Sequence, residues 1–234
     1  GAGGAAPTGT LLVLAGSDAT EAHWSPGAGW ATGSINLIFS GAAVTPYLGG
    51  ALAIGRRISG LPGENDQLMW SLWMPGSGFG PVSPVNGATF AKGVPALGSF
   101  GFAALALWLG TDNKHYYSQF ENGLFSPTGF VPAGMVQNPA FGPSAAALSN
   151  TVAANGISAV YAGDDGKAYH VDKLGPGGSW APSSQVVGST VDNSVAPAAI
   201  IDAANDLLVF YVRQSDKRLC MNKLTTPQNT WGVE

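Results

Sequence analysis

An all-β chain built from repeated sheets is what this sequence predicts, and three observations carry that reading. Gly (34) and Pro (16) punctuate all 234 residues, so no stretch beyond about eight residues keeps the three-and-four apolar spacing of a helix. Charged residues make up only 10% of the chain against 45% hydrophobic, where an average soluble domain carries ~25% charge. That balance supplies a substantial core and lacks the composition of a polar disordered segment. Finally, four landmarks recur in the same order five times, the mark of a repeat architecture.

The first landmark is a proline opening a segment of small residues, at Pro7, Pro46, Pro95, Pro143 and Pro197. Next comes an apolar run: Leu11 to Leu14, Ala51 to Ile54, Ala103 to Trp108, Ile157 to Tyr161 and Leu207 to Val212. A turn aspartate follows, Asp18, Asp66, Asp112, Asp165 and Asp216, at separations of 48, 46, 53 and 51. The last is an aromatic after a turn, Trp30, Phe79, Phe125, Trp180 and Trp231, spaced by 49, 46, 55 and 51.

A unit of this size with four short antiparallel strands fits one blade of a β-propeller, which gives five blades from five repeats of about 47–50 residues. The apolar run is nearly continuous, as a strand requires when neighbouring sheets cover both of its faces. The Ala- and Ser-rich segments, such as Ser144-Ala145-Ala146-Ala147, suit innermost strands crowding a central channel. Residues 1–234 are thus expected to form a single propeller, with repeats near 1–40, 41–90, 91–138, 139–190 and 191–234. The interval from Trp231 round to Pro7 is short, so the termini are expected to share one blade in an abbreviated closure, ahead of a cut from a longer array.

Several function classes are disfavoured at this level. With a net charge of −4 and a pI near 5.2, and with scattered Lys and Arg, the chain has no basic patch for a phosphate backbone and no nucleic acid is expected as partner. The longest apolar runs, such as Phe102 to Leu109, are too short for a membrane helix, so no membrane insertion is expected. No signal-peptide pattern opens the chain; a secreted or extracellular setting is favoured over a cytoplasmic one. Cys220 is the lone cysteine, which excludes an intrachain disulfide and a thiolate cage and is expected to be a small buried hydrophobe. His23, His115 and His170 occupy the same strand of different blades and would point apart, so neither metal nor cofactor is expected.

Catalysis would need a constellation that the sequence does not display. There is no Gly-X-Ser-X-Gly elbow, and Asp202 is the only inner-strand acid available to a glycosidase pair. The turn aspartates are expected to shape turns by bonding their own backbone two residues on. The aromatics say more. Trp24, Trp30, Trp70, Phe79, Tyr116, Phe125, Tyr169, His170, Trp180 and Trp231 are the candidate ligand-binding residues. Trp and Tyr rings can stack on a pyranose face while neighbouring polar groups bond its hydroxyls. The best-preserved copy is Ala159 to His170 closed by Trp180, where Tyr169, His170 and Trp180 are expected to form a sugar-facing wall.

The run Val160-Tyr161-Ala162-Gly163-Asp164-Asp165-Gly166-Lys167-Ala168-Tyr169-His170, with Ser179-Trp180, resembles repeats of β-propeller lectins. It is similar above all to the five-bladed tachylectin-2-like type, with the seven-bladed bacterial and mushroom propeller lectins as cousins. The second repeat departs through an insertion, Arg56 to Glu64, and the fifth through Cys220-Met221 in place of aromatics. The resemblance implies a multivalent, non-enzymatic lectin with shallow repeated sites for amino sugars or fucose, needing no metal, whose partners are glycans on glycosylated cell surfaces. Homo-oligomerisation is compatible with that picture. The alternatives are a protein-binding propeller scaffold or receptor-binding domain of a larger secreted protein and, behind it, a five-bladed glycoside hydrolase.

Overall fold

The computed structural model describes residues 11–15, 20–25, 29–34, 39–57, 67–86, 90–100, 102–130, 145–149, 156–175, 177–186, 188–192, 194–202, 204, 206–225 and 230–232. These residues are all strand, turn or irregular backbone, with no helix among them. They form five antiparallel sheets, each from one continuous stretch of chain.

The first sheet holds β1 (Leu11–Ala15), β2 (Thr20–Ser25) and β3 (Gly29–Ser34). In the second, β4 (Phe39–Tyr47), β5 (Gly50–Arg57), β6 (Leu68–Met74) and β7 (Gly78–Phe79) lie in order, and β8 (Ser83–Pro84) also pairs with β6. The third repeats this with β9 (Ala96–Phe100), β10 (Ala103–Leu109), β11 (His115–Glu121), β12 (Leu124–Phe125) and β13 (Gly129–Phe130). The fourth runs β14 (Ala145–Ser149), β15 (Gly156–Ala162), β16 (Ala168–Lys173) and β17 (Ser184–Gln185). The fifth runs β18 (Ala198–Ile201), β19 (Leu207–Val212), β20 (Leu219–Thr225) and β21 (Thr230–Trp231).

The edge strands β4, β9, β14 and β18 lie beside one another in that order, which is the inner ring of a propeller. Among the described residues four blades are complete, where five were expected. The first sheet has three described strands, and β1 carries the apolar run that fills the second strand of every other sheet. It therefore matches strands two to four of a blade. Pro46 differs from its expected place: it lies near the end of β4 and not at its start. An edge strand tolerates it because the missing N–H interrupts no ladder on the open side. Pro7 and Pro143 lie outside the described residues.

The continuous apolar runs behave as their composition dictates. All seven residues of β10 are buried, and in β15 all but the first are. Between the second and third sheets, Leu52, Ile54 and Leu68 pack with Trp108, Phe120 and Phe125. Between the third and fourth, Leu105 and Leu107 meet Ile157, Ala159 and Tyr161. Between the fourth and fifth, Val160 and Ala162 meet Val209 and Tyr211. Cys220 is buried in this last layer.

Turn chemistry sets the register. At the β11–β12 hairpin, Asn122 and Gly123 both take positive φ, 52° and 81°, the conformation that a two-residue hairpin demands. Asp112, Asp165 and Asp216 each accept the backbone N–H two residues on, from Lys114, Lys167 and Arg218. The turn role expected for the aspartates holds at these three; Asp18 and Asp66 lie outside the described residues.

Candidate functional site

Each third strand presents alternate side chains to opposite neighbours, because successive residues of a strand face opposite ways. Trp70, Tyr117 and His170 occupy equivalent positions of β6, β11 and β16 and face the following sheet. The aromatic of that next sheet's fourth segment comes down on each of them. Phe125 meets Trp70 edge-on with centroids 6.0 Å apart, Trp180 meets Tyr117 at 5.3 Å, and Trp231 meets His170 at 5.3 Å. The recurring aromatic is therefore a knob seated on the preceding sheet. Edge-to-face geometry contributes about 0.5–1.5 kcal/mol per pair beyond burial.

The residues on the opposite face of the third strand form a second repeated unit. Tyr116 stacks on Trp108 at 6.0 Å and 15°, and Tyr169 stacks on Tyr161 at 5.6 Å and 18°. Their hydroxyls donate to the turn aspartates four residues earlier, Tyr116 to Asp112 (2.9 Å) and Tyr169 to Asp165 (2.7 Å). In the fifth sheet the position is Cys220, and Asp216 accepts from Arg213 instead.

The tyrosine–aspartate bond couples two ionisations. Burial pushes the Asp165 carboxyl up, but the Tyr169 hydroxyl and the Lys167 amide and ammonium outweigh it and hold it below its ordinary value. The bond to Asp165, aided by burial, pushes the Tyr169 phenol up to about 12. A raised folded value means that Tyr169 contributes stability fully below pH 10 and loses it as pH rises towards 12. The depressed Asp165 contributes above the ordinary carboxylate range and loses its share as pH falls through its folded value. In an alkaline titration followed by tyrosinate absorbance, Tyr169 is expected to ionise late, and Tyr169→Phe to remove that late step. An unchanged curve in the variant would contradict the coupling.

The expected wall of Tyr169, His170 and Trp180 does not form. Tyr169 and Trp180 face the third sheet while His170 faces the fifth, since adjacent strand residues alternate. Tyr116, Phe125 and Trp180 are buried against neighbours. Trp70 is half-buried, and its indole N–H donates to the Pro84 carbonyl. Phe79 is half-buried in β7 opposite Trp73. Trp30, on β3 opposite Trp24, is 59% exposed; the Trp24 side chain lies outside the described residues. Two pairs of these candidates are in ring contact across neighbouring sheets among the described residues, Trp70 with Phe125 and His170 with Trp231.

The cleft between the fourth and fifth sheets concentrates the polar groups. His170 is buried, and its Nε2 shares a 2.5 Å hydrogen bond with the exposed Ser184 Oγ. Its Nδ1 is buried with no hydrogen-bond partner among the described residues, and faces Asp172 Oδ1 at 3.8 Å. Ser158 donates to the same carboxylate. Burial pushes the Asp172 carboxyl up, but His170 and Ser158 outweigh it and leave it below its ordinary value. Trp231, half-buried, closes one side. Asp172, Ser184 and Ser158 escaped the sequence reading, although the i, i+2 spacing of His170 and Asp172 on one strand was a signal for the first.

Two other polar features have internal partners. The Asp202 carboxylate accepts from the Ala204 and Asp206 amides and from Lys223, which also reaches Asp206. The buried Lys173 ammonium donates to the Gly175 and Gly178 carbonyls, and burial pushes its pKa down. No group of three or more His, Cys, Asp or Glu able to hold a metal occurs among the described residues.

No family model matches the chain, and no curated protein matches it. Solved structures do. The Aleuria aurantia lectin, described as a six-bladed β-propeller with a fucose recognition mode, is 15% identical with a TM-score of 0.64, covering 96% of this chain and 72% of that one. The SapL1 lectin, solved with α-methyl fucoside, is 17% identical with a TM-score of 0.63, covering 96% and 74%. An exo-β-1,3-galactanase from Phanerochaete chrysosporium is 9% identical with a TM-score of 0.56, covering 96% and 62%. The likeness is one of fold: this chain is a β-propeller, and the architecture is shared by sugar-binding and sugar-cleaving proteins alike.

Proposed function

We propose that this chain is a non-catalytic, multivalent carbohydrate-binding protein, with residues 1–234 as one five-bladed propeller and its first sheet as the fifth blade. One observation carries the reading. The cleft between the fourth and fifth sheets pairs an aromatic, Trp231, with a buried polar cluster, His170, Asp172, Ser158 and Ser184. Buried polar atoms seldom go unsatisfied, and a ligand hydroxyl set between His170 Nδ1 and Asp172 would serve both. Trp231 would take the apolar face of the sugar ring.

Fucose or an amino sugar suits this chemistry, since each combines an apolar patch with hydroxyls. The fucoside-bound lectins of the same fold support that choice. Sites of one monosaccharide are weak, and several on one rigid ring raise avidity at a glycosylated surface by ~10²–10⁴. A hydrolase would need two free carboxylates at the channel mouth, whereas Asp202 is committed to a turn and to Lys223. Agglutination of glycosylated cells, challenged in turn with fucose, N-acetylglucosamine and galactose, tests the proposal. Agglutination reversed by one of these sugars is expected; agglutination insensitive to all three, or none at all, would overturn it.

A second reading is a protein-binding propeller, favoured by one feature. The hairpin-end residues Phe102 and Leu124 are 81% and 71% exposed, apolar area that a protein partner would cover. Capture of one protein partner, unaffected by free sugar, would decide for it.

A further inference from the structure

One cross-strand position recurs beside the third strands. Ser83 stands opposite Trp70 in the second sheet, Gly129 opposite Tyr117 in the third and Ser184 opposite His170 in the fourth. Of the three, the fourth alone sets a hydroxyl against an imidazole. Two residues further along β16, on the same face of the strand, comes Asp172, whose own cross-strand partner is Ser158. Three adjacent strands thus lay out Ser184, His170, Asp172 and Ser158 in a row.

That order is the order of a nucleophile, its base and an orienting carboxylate. Ser184 Oγ lies 2.5 Å from His170 Nε2. Nε2 can take the hydroxyl proton only in the tautomer that carries its own proton on Nδ1. Nδ1 is the atom that faces Asp172 Oδ1, at 3.8 Å. This gap exceeds a hydrogen bond, and such contacts are often loose in a ligand-free site and tighten on binding. Ser158 donates to the same carboxylate oxygen and fixes it. Ser184 is exposed and His170 buried, so a substrate can reach the hydroxyl while the base behind it is shielded. We propose that Ser184 is an activated nucleophile that accepts an acyl group from a short-chain ester. Constellations of this kind are recognised by geometry and roles, not by order along the chain.

The step balances within these groups. Ser184 Oγ bonds to the ester carbonyl carbon as its proton passes to His170 Nε2, and Asp172 faces the imidazolium so formed. Collapse of the tetrahedral adduct breaks the bond to the leaving oxygen, which takes the proton back from Nε2. The products are an alcohol and acyl-Ser184. The inference concerns this single transfer, not turnover, and it leaves glycosidic bonds intact. An O-acyl sugar as donor rests on the carbohydrate reading of the cleft, with Trp231 beside His170 for the ring; the nucleophile itself does not.

The full chain treated with p-nitrophenyl acetate tests this, with nitrophenolate followed by absorbance and acetylated peptides located by mass spectrometry. Release of one nitrophenolate per chain and an acetyl group on Ser184 are expected. Ser184→Ala should abolish that release, and His170→Gln should slow it about a hundredfold, within the range that a positioned base contributes. Asp172→Asn is expected to slow it about tenfold or more, with part of the loss recovered in Asp172→Glu; a carboxylate of purely structural use would be replaced by the amide without loss. Ser83→Ala should change nothing, since Ser83 faces an indole. Release unchanged in Ser184→Ala, or acetyl groups on lysines alone, would overturn the proposal. Acetyl-Ser184 in a protein that retains no glycan would keep the nucleophile and overturn the sugar ester as its donor. Glycan retention without acetylation would overturn the nucleophile and leave sugar binding standing.

Discussion

Replacing Trp108 by alanine is expected to cost about 3–5 kcal/mol of folding stability, the range for emptying a large aromatic site in a packed core. Trp108 is the penultimate residue of a strand whose two faces are both covered, and it is itself fully buried. Its indole belongs to the layer that joins the second and third sheets, with Leu52, Ile54 and Phe120. It also carries the stacked Tyr116, whose hydroxyl bonds Asp112. Truncation therefore removes transfer energy, leaves a cavity between two rigid sheets and frees a ring that positions a turn. Sheets held by their own ladders cannot collapse far into such a gap, which places the cost high in the range. Urea denaturation followed by circular dichroism measures it; a loss under about 1 kcal/mol would show that the layer is not the core described.

The second large effect concerns binding. Trp231→Ala is expected to weaken carbohydrate retention at the site between the fourth and fifth sheets by at least tenfold, which corresponds to about 1.4 kcal/mol. The residue is half-buried and seated on His170, so truncation removes a stacking surface without emptying a closed core. His170→Ala should act in the same direction by another route. It abandons the Ser184 hydrogen bond and leaves Asp172 with Ser158 alone. Asp112→Asn provides the contrast, since it disturbs a turn in the third sheet and touches no group of this cleft. Isothermal titration with a fucoside compares the three. Equal affinity in Trp231→Ala and the unaltered protein would remove this cleft from the account, and an equal loss in Asp112→Asn would reduce the effect to general destabilisation.

Much of the fold could be read in the sequence because its signals are local and repeated. The apolar runs mark the second strands, since only a strand covered on both faces needs Ala103 to Trp108 unbroken. Asp112, Asp165 and Asp216 mark the turns because each bonds an amide two residues away. The blade count was harder: the landmarks recur five times, yet the first sheet shows three strands and four blades are complete. Residues 1–10, where the landmarks would put the preceding strand, lie outside the described residues.

The site was less legible. Tyr169 and His170 are neighbours in sequence, and only the strand's alternation sends them to different clefts. Phe125 and Trp180 carry the same landmark as Trp231, but their partners, Trp70 and Tyr117, cover them with other rings. His170 instead sets a polar ring, hydrogen-bonded to Ser184, against Trp231. That difference depends on which residue of the preceding sheet stands opposite, a relation of some sixty residues along the chain. Ser158 and Ser184 were invisible for the same reason, since serine is common in every blade.

The account turns on whether the propeller binds sugar at all, and a glycan array probed with the fluorescently labelled protein tests that most directly. Retention on a defined set of glycans, fucosylated or carrying amino sugars, and released by the corresponding free monosaccharide, is the predicted result. A protein that is folded by circular dichroism and retained on no glycan, even at high concentration, would contradict it.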